Sequence, residues 1–285
     1  MIVAAICEEN IEAAGFVLDT GPVRLTERSR PRSLPKWKRW LLFLRLAVRF
    51  PNEYSRPFLR KLGLETADFY ERLRKAEKRL TGEVLRACNP HFDAALVPQI
   101  RRFPTFREAS AKVGAPYHEV NNINSEEAGA ILRSMQPDVV VSLGDRILKP
   151  HTLKIPRLGV LNGHSSLLPA YRGTSTEFWQ LAHGEMETGV TIHWMATRVD
   201  EGNILVQARW PIPSGATHWE LRRVSQFLRI PAWRKAIRLV GEGHQGTPQG
   251  RDSRPTFGQP DIVALYSYYI RREVMRPSPD LPPKK

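Results

Sequence analysis

Two apolar runs in this chain end on side chains that can do acyl-transfer chemistry. Gly159-Val160-Leu161 leads straight into Asn162, His164 and Ser166, and Gly189 to His193 is followed, seven residues on, by Asp200. Strand ends are where open α/β sheets hold their chemistry. When an amine attacks a carbonyl, negative charge builds on oxygen and the amine acquires a proton it must lose. An amide N–H such as that of Asn162 is a donor for the oxygen, worth about 3 kcal/mol of barrier when preorganised. An imidazole, here His164, titrates at about 6.5 in water and moves protons near neutral pH, typically for a gain of about 10²- to 10⁴-fold. Asp200 is the carboxylate that would fix that ring and favour its protonated form. Singly, the three could be a turn former, a surface histidine and a cap. In this order and together they point to one site. His193 lies within the alternating Thr191-Ile192-His193-Trp194 run and is expected to be packed or hydrogen-bonded. Neither HExxH nor a Cys/His knuckle occurs, so no metal is expected.

The segments carrying these residues resemble the formyltransferase family, which moves a formyl unit from 10-formyltetrahydrofolate onto an amine. The matching elements are Asn162/His164, Ser166 to Pro169, Tyr171 to Gly173, Gly189 to His193, and Asp200/Gly202, within about Pro137 to Gln207. The resemblance implies the same three roles for Asn162, His164 and Asp200. It also implies a pterin-binding loop over Asp145 to Pro150, where backbone around Arg146, Ile147 and Leu148, with Ala196 to Asp200 including Val199, would hold the donor's heterocycle. Asp145 departs from the apolar or aromatic residue more usual there. Acceptor contacts are expected at Ser166, Arg172 and Gly173, with Arg172 available for phosphates.

The elements needed to position these groups follow a strand and helix alternation, so the expected fold is α/β: a doubly wound, mostly parallel, Rossmann-like sheet. Pro137 to Gly144 is a continuous apolar run ended by glycine, the pattern of a buried parallel strand. Other expected strands are Ile2 to Cys7, Ala94 to Val97 and His118 to Val120. Expected helices are Glu65 to Arg86, Ala128 to Met135 with Asn124 and Glu127 as a capping box, and Thr174 to His183. The opening strand reads as the second of such a domain, so the first strand and helix are expected to be missing. Gly15 to Pro57 is rich in Pro and Arg and reads as an insertion, placed at about residues 20–60 of a catalytic domain spanning 1–212.

Beyond Pro213 the pattern turns helical. Thr217 and Glu220 form a capping box, Leu221, Val224, Phe227 and Leu228 recur at helical spacing, and a basic helix over Ala232 to Val240 is expected after Pro231. Gly241 to Pro260 reads as a loop, Asp261 to Met275 as a last helix, and Arg276 to Lys285 as a Pro-rich tail. Residues 213–285 are therefore expected to be a helical appendage. In the resembling family, enzymes acting on initiator tRNA carry a downstream β-barrel, and no series of alternating strands follows Pro213 here. A small amino acceptor, a nucleotide-linked amino sugar, is the leading expectation. Methionyl-tRNA, hydrolysis of 10-formyltetrahydrofolate by water, and a non-catalytic relative that binds folate or a membrane stay open.

Composition sets the remaining bounds. The chain has 285 residues, enough to bury a sizeable core, and its two cysteines, Cys7 and Cys88, with no signal peptide point to a reducing, cytoplasmic compartment. No apolar run is long enough to suggest a transmembrane span. Lys and Arg number 43 against 29 Asp and Glu, a formal charge of +14. Such an excess attracts phosphates, anionic lipid or nucleic acid. Much of it lies around Trp37 to Phe50, a helix candidate mixing tryptophan, leucine and basic residues. That 36–50 segment could dock on its own domain, lie on a membrane surface, or meet nucleic acid.

Overall fold

The computed structural model describes residues 12–20, 35, 37–38, 40–41, 44, 105–143, 146–214, 216–261 and 263–268. The strand expected at Ile2 to Cys7, the helix at Glu65 to Arg86, the strand at Ala94 to Val97, both cysteines and Asp145 lie outside them. Two compact units divide the chain, Met1–Arg24 with Leu80–Phe257, and Leu25–Arg79 with Gly258–Lys285.

The first unit carries every element that bears on the site. In chain order these are β1 (Phe16–Asp19), α1 (Phe106–Val113), β2 (Tyr117–Val120), α2 (Glu126–Ser134), β3 (Val139–Ser142), α3 (Pro150–Leu153), β4 (Gly159–His164), α4 (Thr176–Ala182), β5 (Glu187–Trp194), β6 (Ile204–Pro211) and α5 (His218–Gly241). β1 and β2 pair in parallel, and a second sheet runs in the order β3-β4-β5-β6. β3 and β4 are parallel, whereas β5 runs antiparallel to β4 and β6 to β5. The parallel pairs with their intervening helices make the fold α/β, as expected.

Several boundaries shift for identifiable reasons. β1 falls inside the stretch read as insertion; it is four residues long, and its partner lies a hundred positions downstream. α2 is capped by Ser125, whose side chain accepts from the Ala128 N–H, not by Asn124. Asn124 instead accepts from the Lys149 N–H at 2.7 Å and the Thr152 hydroxyl at 3.0 Å, and donates to the Ile147 carbonyl at 3.0 Å. It thus fixes the loop after β3. α1 is an addition, opened by a capping box between Thr105 and Glu108.

Pro231 does not break the helix expected to end before it. α5 runs through it for 24 residues, because burial on both sides outweighs one lost helical hydrogen bond. Val224 before the proline and Ala232, Trp233, Ala236 and Val240 after it share one core with Leu161, Val190, Ile192, Trp194, Val206 and Trp210 of the sheet. α5, which falls within the appendage expected over 213–285, therefore completes the sheet's core. Trp233 is 1% exposed and lies flat on Gly163, where an added Cβ would stand 2.9 Å from its ring. Among the described residues its indole N–H has no hydrogen-bond partner, and its contribution is packing. Trp233→Ala is expected to cost about 3–5 kcal/mol of stability, measured as a lower midpoint in urea with an unchanged slope.

Candidate active site

The register of the second sheet puts the expected residues in two adjacent rows. Ser142, Asn162 and His193 face one another across β3, β4 and β5, and His164 stands opposite Thr191 one step on. Asn162 and His164 are two positions apart on one strand, so their side chains share a face. β5 and β6 are closed at one end by a bond from the Trp194 N–H to the Asn203 carbonyl at 2.9 Å. Between them the loop 195–203 carries Asp200 back to that face.

Asp200 is held from three sides. Its Oδ2 lies 3.5 Å from His164 Nδ1 and accepts from the Gly173 N–H at 2.8 Å, while Oδ1 lies 3.6 Å from His193 Nε2. Burial pushes its carboxyl upward, but the charge of His164, the hydrogen bond from His193 and the Gly173 N–H outweigh that and bring it down to about 2. Asp200 is therefore a fixed anion at neutral pH. Its backbone is left-handed, with φ of 55°, a conformation Asp tolerates.

Hydrogen bonding assigns the rings. His164 Nε2 faces the Tyr171 carbonyl at 2.8 Å and so must donate to it, which leaves Nδ1 towards the carboxylate. His193 Nδ1 donates to the Trp194 carbonyl at 2.8 Å, and its Nε2 stands between Asn162 Nδ2 at 3.3 Å and Asp200 Oδ1 at 3.6 Å. That orients the Asn162 amide and leaves its second N–H for a ligand. His193 is packed and hydrogen-bonded as the alternation suggested, yet it is also a fourth member of the site.

Ser166, Arg172 and Gly173, the expected acceptor contacts, each bond groups of the protein itself. Ser166 is fully buried, and its hydroxyl lies within bonding distance of the Ala170 and Tyr171 carbonyls, so it braces its own loop. Arg172 is bound to Glu201 and to the carbonyls of Asp252 and Arg254. Its guanidinium is a clasp, not an open phosphate donor. Gly173 has φ of 101°, and a Cβ there would fall 2.1 Å from the Phe257 carbonyl oxygen, which explains why only glycine suits the third position of Tyr-Arg-Gly. Gly202 is equally constrained, since a Cβ would sit 1.8 Å from the Trp194 oxygen.

Of the residues expected to contact the donor, Arg146 pairs with Asp19 at the end of β1, and Leu148 is buried. Ile147 and Val199, by contrast, show apolar side chains to solvent, as does Leu143, which leaves β3 one residue past the row of Asn162. Among the described residues no group of three or more His, Cys, Asp or Glu is arranged to hold a metal ion.

A strap that sequence reasoning left as plain loop ties both halves of the site together. Gln249 Nε2 donates to the carbonyls of Asp200 and Gly202, each at 2.8 Å. Thr247 exchanges backbone hydrogen bonds with Ile204 at 2.8 Å, and Phe257 bonds Arg172 and Thr174 on either side of Gly173. Phe257 also stacks on Tyr171, with ring centroids 5.3 Å apart. Glu177 was missed too: it is buried at the start of α4, and burial raises its carboxyl against the opposing charges of Arg222, Arg229 and His164. Each hydrogen bond is worth about 1 kcal/mol net, so Gln249→Ala is expected to loosen the Asp200 loop and lower kcat about tenfold. Steady-state kinetics would check it: a change confined to KM would show that the strap does not hold Asp200.

Several known proteins are similar to this chain. Methionyl-tRNA formyltransferase of Chlorobium chlorochromatii (strain CaD3) is 41% identical over 106 residues, 37% of this chain and 34% of that protein. The protein of that name from Syntrophus aciditrophicus (strain SB) is 34% identical over 175 residues, 60% of this chain and 52% of its own length. The chain thus spans about a third to a half of these relatives. A crystal structure of glycinamide ribonucleotide transformylase 1 from Symbiobacterium toebii aligns with 62% of this chain and 90% of that one, at 25% identity and a TM-score of 0.45. The profile of the family described as formyl transferase matches residues 66–229, more than half of the sequence and inclusive of Asn162, His164, His193 and Asp200, and the chain belongs to that family.

Proposed function

We propose that this chain transfers a formyl group from 10-formyltetrahydrofolate to the primary amine of a small acceptor, a nucleotide-linked amino sugar. The observation that carries it is the buried Asp200 carboxylate set between His164 and His193, with Asn162 oriented by His193. In this scheme the free N–H of Asn162 meets charge developing on the formyl oxygen. His164 takes the proton from the attacking amine and returns it to the tetrahydrofolate nitrogen as that nitrogen's bond to the formyl carbon breaks, and Asp200 balances the imidazolium in between. The donor supplies the activated one-carbon unit when bound. Exposed Leu143, Ile147 and Val199 are apolar walls suited to a flat heterocycle, and neighbouring backbone is suited to its polar edge. A nucleotide on the acceptor is supported by the partly or fully exposed rings of Trp179, His183 and Phe257, grouped around the buried Tyr171. Such faces stack planar bases.

Methionyl-tRNA is the second acceptor to consider, favoured by the names of the relatives above and by the +14 charge. Incubation of the full chain with 10-formyltetrahydrofolate and nucleotide-linked amino sugars, charged initiator tRNA, or water alone separates these readings through the absorbance of tetrahydrofolate. Turnover with the amino sugars, lost about 10²- to 10³-fold in Asn162→Ala, is the expected result. Turnover only with tRNA would move the proposal to that acceptor, and turnover with water alone would make the chain a hydrolase.

A further inference from the structure

Trp37, Lys38, Trp40, Leu41 and Leu44 are helical. The four apolar members stand at i, i+3, i+4 and i+7, which places them on a single helix face. All four are open to solvent, with Trp37 61%, Trp40 55%, Leu41 46% and Leu44 38% exposed. A lone exposed leucine is ordinary; two tryptophans and two leucines in one arc are a surface that meets something.

Charge indicates what that is. No Asp or Glu stands between Glu27 and Glu53, while eight Lys and Arg do. One of them, Lys38, places its ammonium 5.3 Å from the centre of the Trp37 ring. A nucleic acid would use the cations but leave the leucines in water. A bilayer with acidic headgroups uses both: tryptophan favours the headgroup boundary, leucine the acyl region beneath it, and the cations the anionic surface. Among the described residues no helix is long and apolar enough to cross a membrane, so the contact is one of lying on the surface.

We propose that the Trp37 to Leu44 face is a docking surface for an anionic lipid bilayer, holding the chain peripherally through apolar insertion and headgroup pairing together. Two such signals are what stable peripheral binding takes. Neither the donor nor the acceptor side of the catalytic site is invoked, so this surface and the proposed reaction stand or fall separately.

The test is co-sedimentation of the full chain with vesicles of phosphatidylcholine alone or with about one-third phosphatidylglycerol, each at low and high salt. Partition onto the anionic vesicles is expected to exceed that onto neutral ones by about tenfold or more and to fall with salt. The double variant Trp37→Ser with Leu41→Ser should lose about tenfold of that partition, since each removes buried apolar area. Its far-UV circular dichroism and its turnover without vesicles should match the original chain. Equal binding to both vesicle types, or unchanged binding by the variant, would overturn the proposal. So would binding to an RNA oligomer that the variant loses while neither protein sediments with vesicles. Quenching of tryptophan emission by brominated phosphatidylglycerol gives an independent reading, and its absence in the original chain would also overturn the proposal.

Discussion

Replacing His164 by alanine is expected to remove about 10²- to 10⁴-fold of kcat while leaving donor affinity nearly intact. The ring is 7% exposed and has one nitrogen committed to the Tyr171 carbonyl. Only Nδ1, directed at Asp200, is placed to exchange a proton during the reaction. The 3.5 Å separation from the carboxylate is longer than a hydrogen bond and has room to tighten as charge develops. Truncation also takes one donor from the Tyr171 carbonyl and leaves it the Ser166 hydroxyl, at about 1 kcal/mol of stability. A second variant, His164→Gln, keeps an N–H for that carbonyl but carries no proton. Both variants should lose turnover, measured as initial rates of tetrahydrofolate release, while equilibrium binding of the donor persists. Restoration of turnover by glutamine would show that the ring only braces the loop.

The cluster of Asn162, His164 and Asp200 was legible because its residues lie on or just past strands whose pattern is local. Asn162 and His164 share a face by simple alternation, and the run from Gly189 to Trp194 announces the strand that places Asp200's loop beside them. Apolar continuity likewise marked β3, and helical spacing marked α4 and both ends of α5. What escaped is held by contacts that leave no periodic trace. Gln249 reaches Asp200 across 49 residues through a side chain and a carbonyl, and no composition distinguishes that glutamine from one in open loop. β1 escaped because four residues are too few to establish a period, and its pairing is with a strand 101 positions away. Pro231 misled in the opposite direction: a local rule against helix was overridden by Trp233 and Ala236 entering the same core as Val224.

Ser166, Arg172 and Gly173, expected as acceptor contacts, are also tied into the protein itself. A motif residue can be required for geometry as strictly as for chemistry. Gly173 is needed because Phe257 leaves no space for a Cβ, and its N–H is needed because it holds Asp200. Arg172 and Ser166 brace the same turn. The Tyr-Arg-Gly loop thus acts by positioning the carboxylate, and the strap over it extends that positioning to the loop 195–203. Lacing of this kind lets a left-handed Asp200 persist, since surrounding structure must over-determine an uncommon backbone state.

Asp200→Asn is expected to be the most informative single change, because it alters activity and acid stability by the same charge. In pairs of histidine with a buried carboxylate, the amide replacement lowers kcat by about 10⁴-fold, and a comparable loss is expected here. The folded carboxyl titrates at about 2 against an ordinary 3.8. Its ionised form therefore stabilises the fold at any pH above its ordinary value. Below that, the unfolded chain takes up the proton first, and the stabilisation is lost as pH falls from about 4 through about 2, amounting to about 2 kcal/mol. Glu177 has the opposite sign: burial raises its carboxyl, so its contribution is lost as pH rises above the ordinary 4.5, outside that window. Asp252 is lowered by Arg254 and titrates in the acid range as well, which makes the difference between two proteins the quantity to measure. Urea midpoints for the original chain and Asp200→Asn at pH 4 and pH 2 should show a gap that closes by about 2 kcal/mol on acidification. A gap that stays constant would mean that Asp200 is not the anion the two histidines and the Gly173 N–H are arranged to hold.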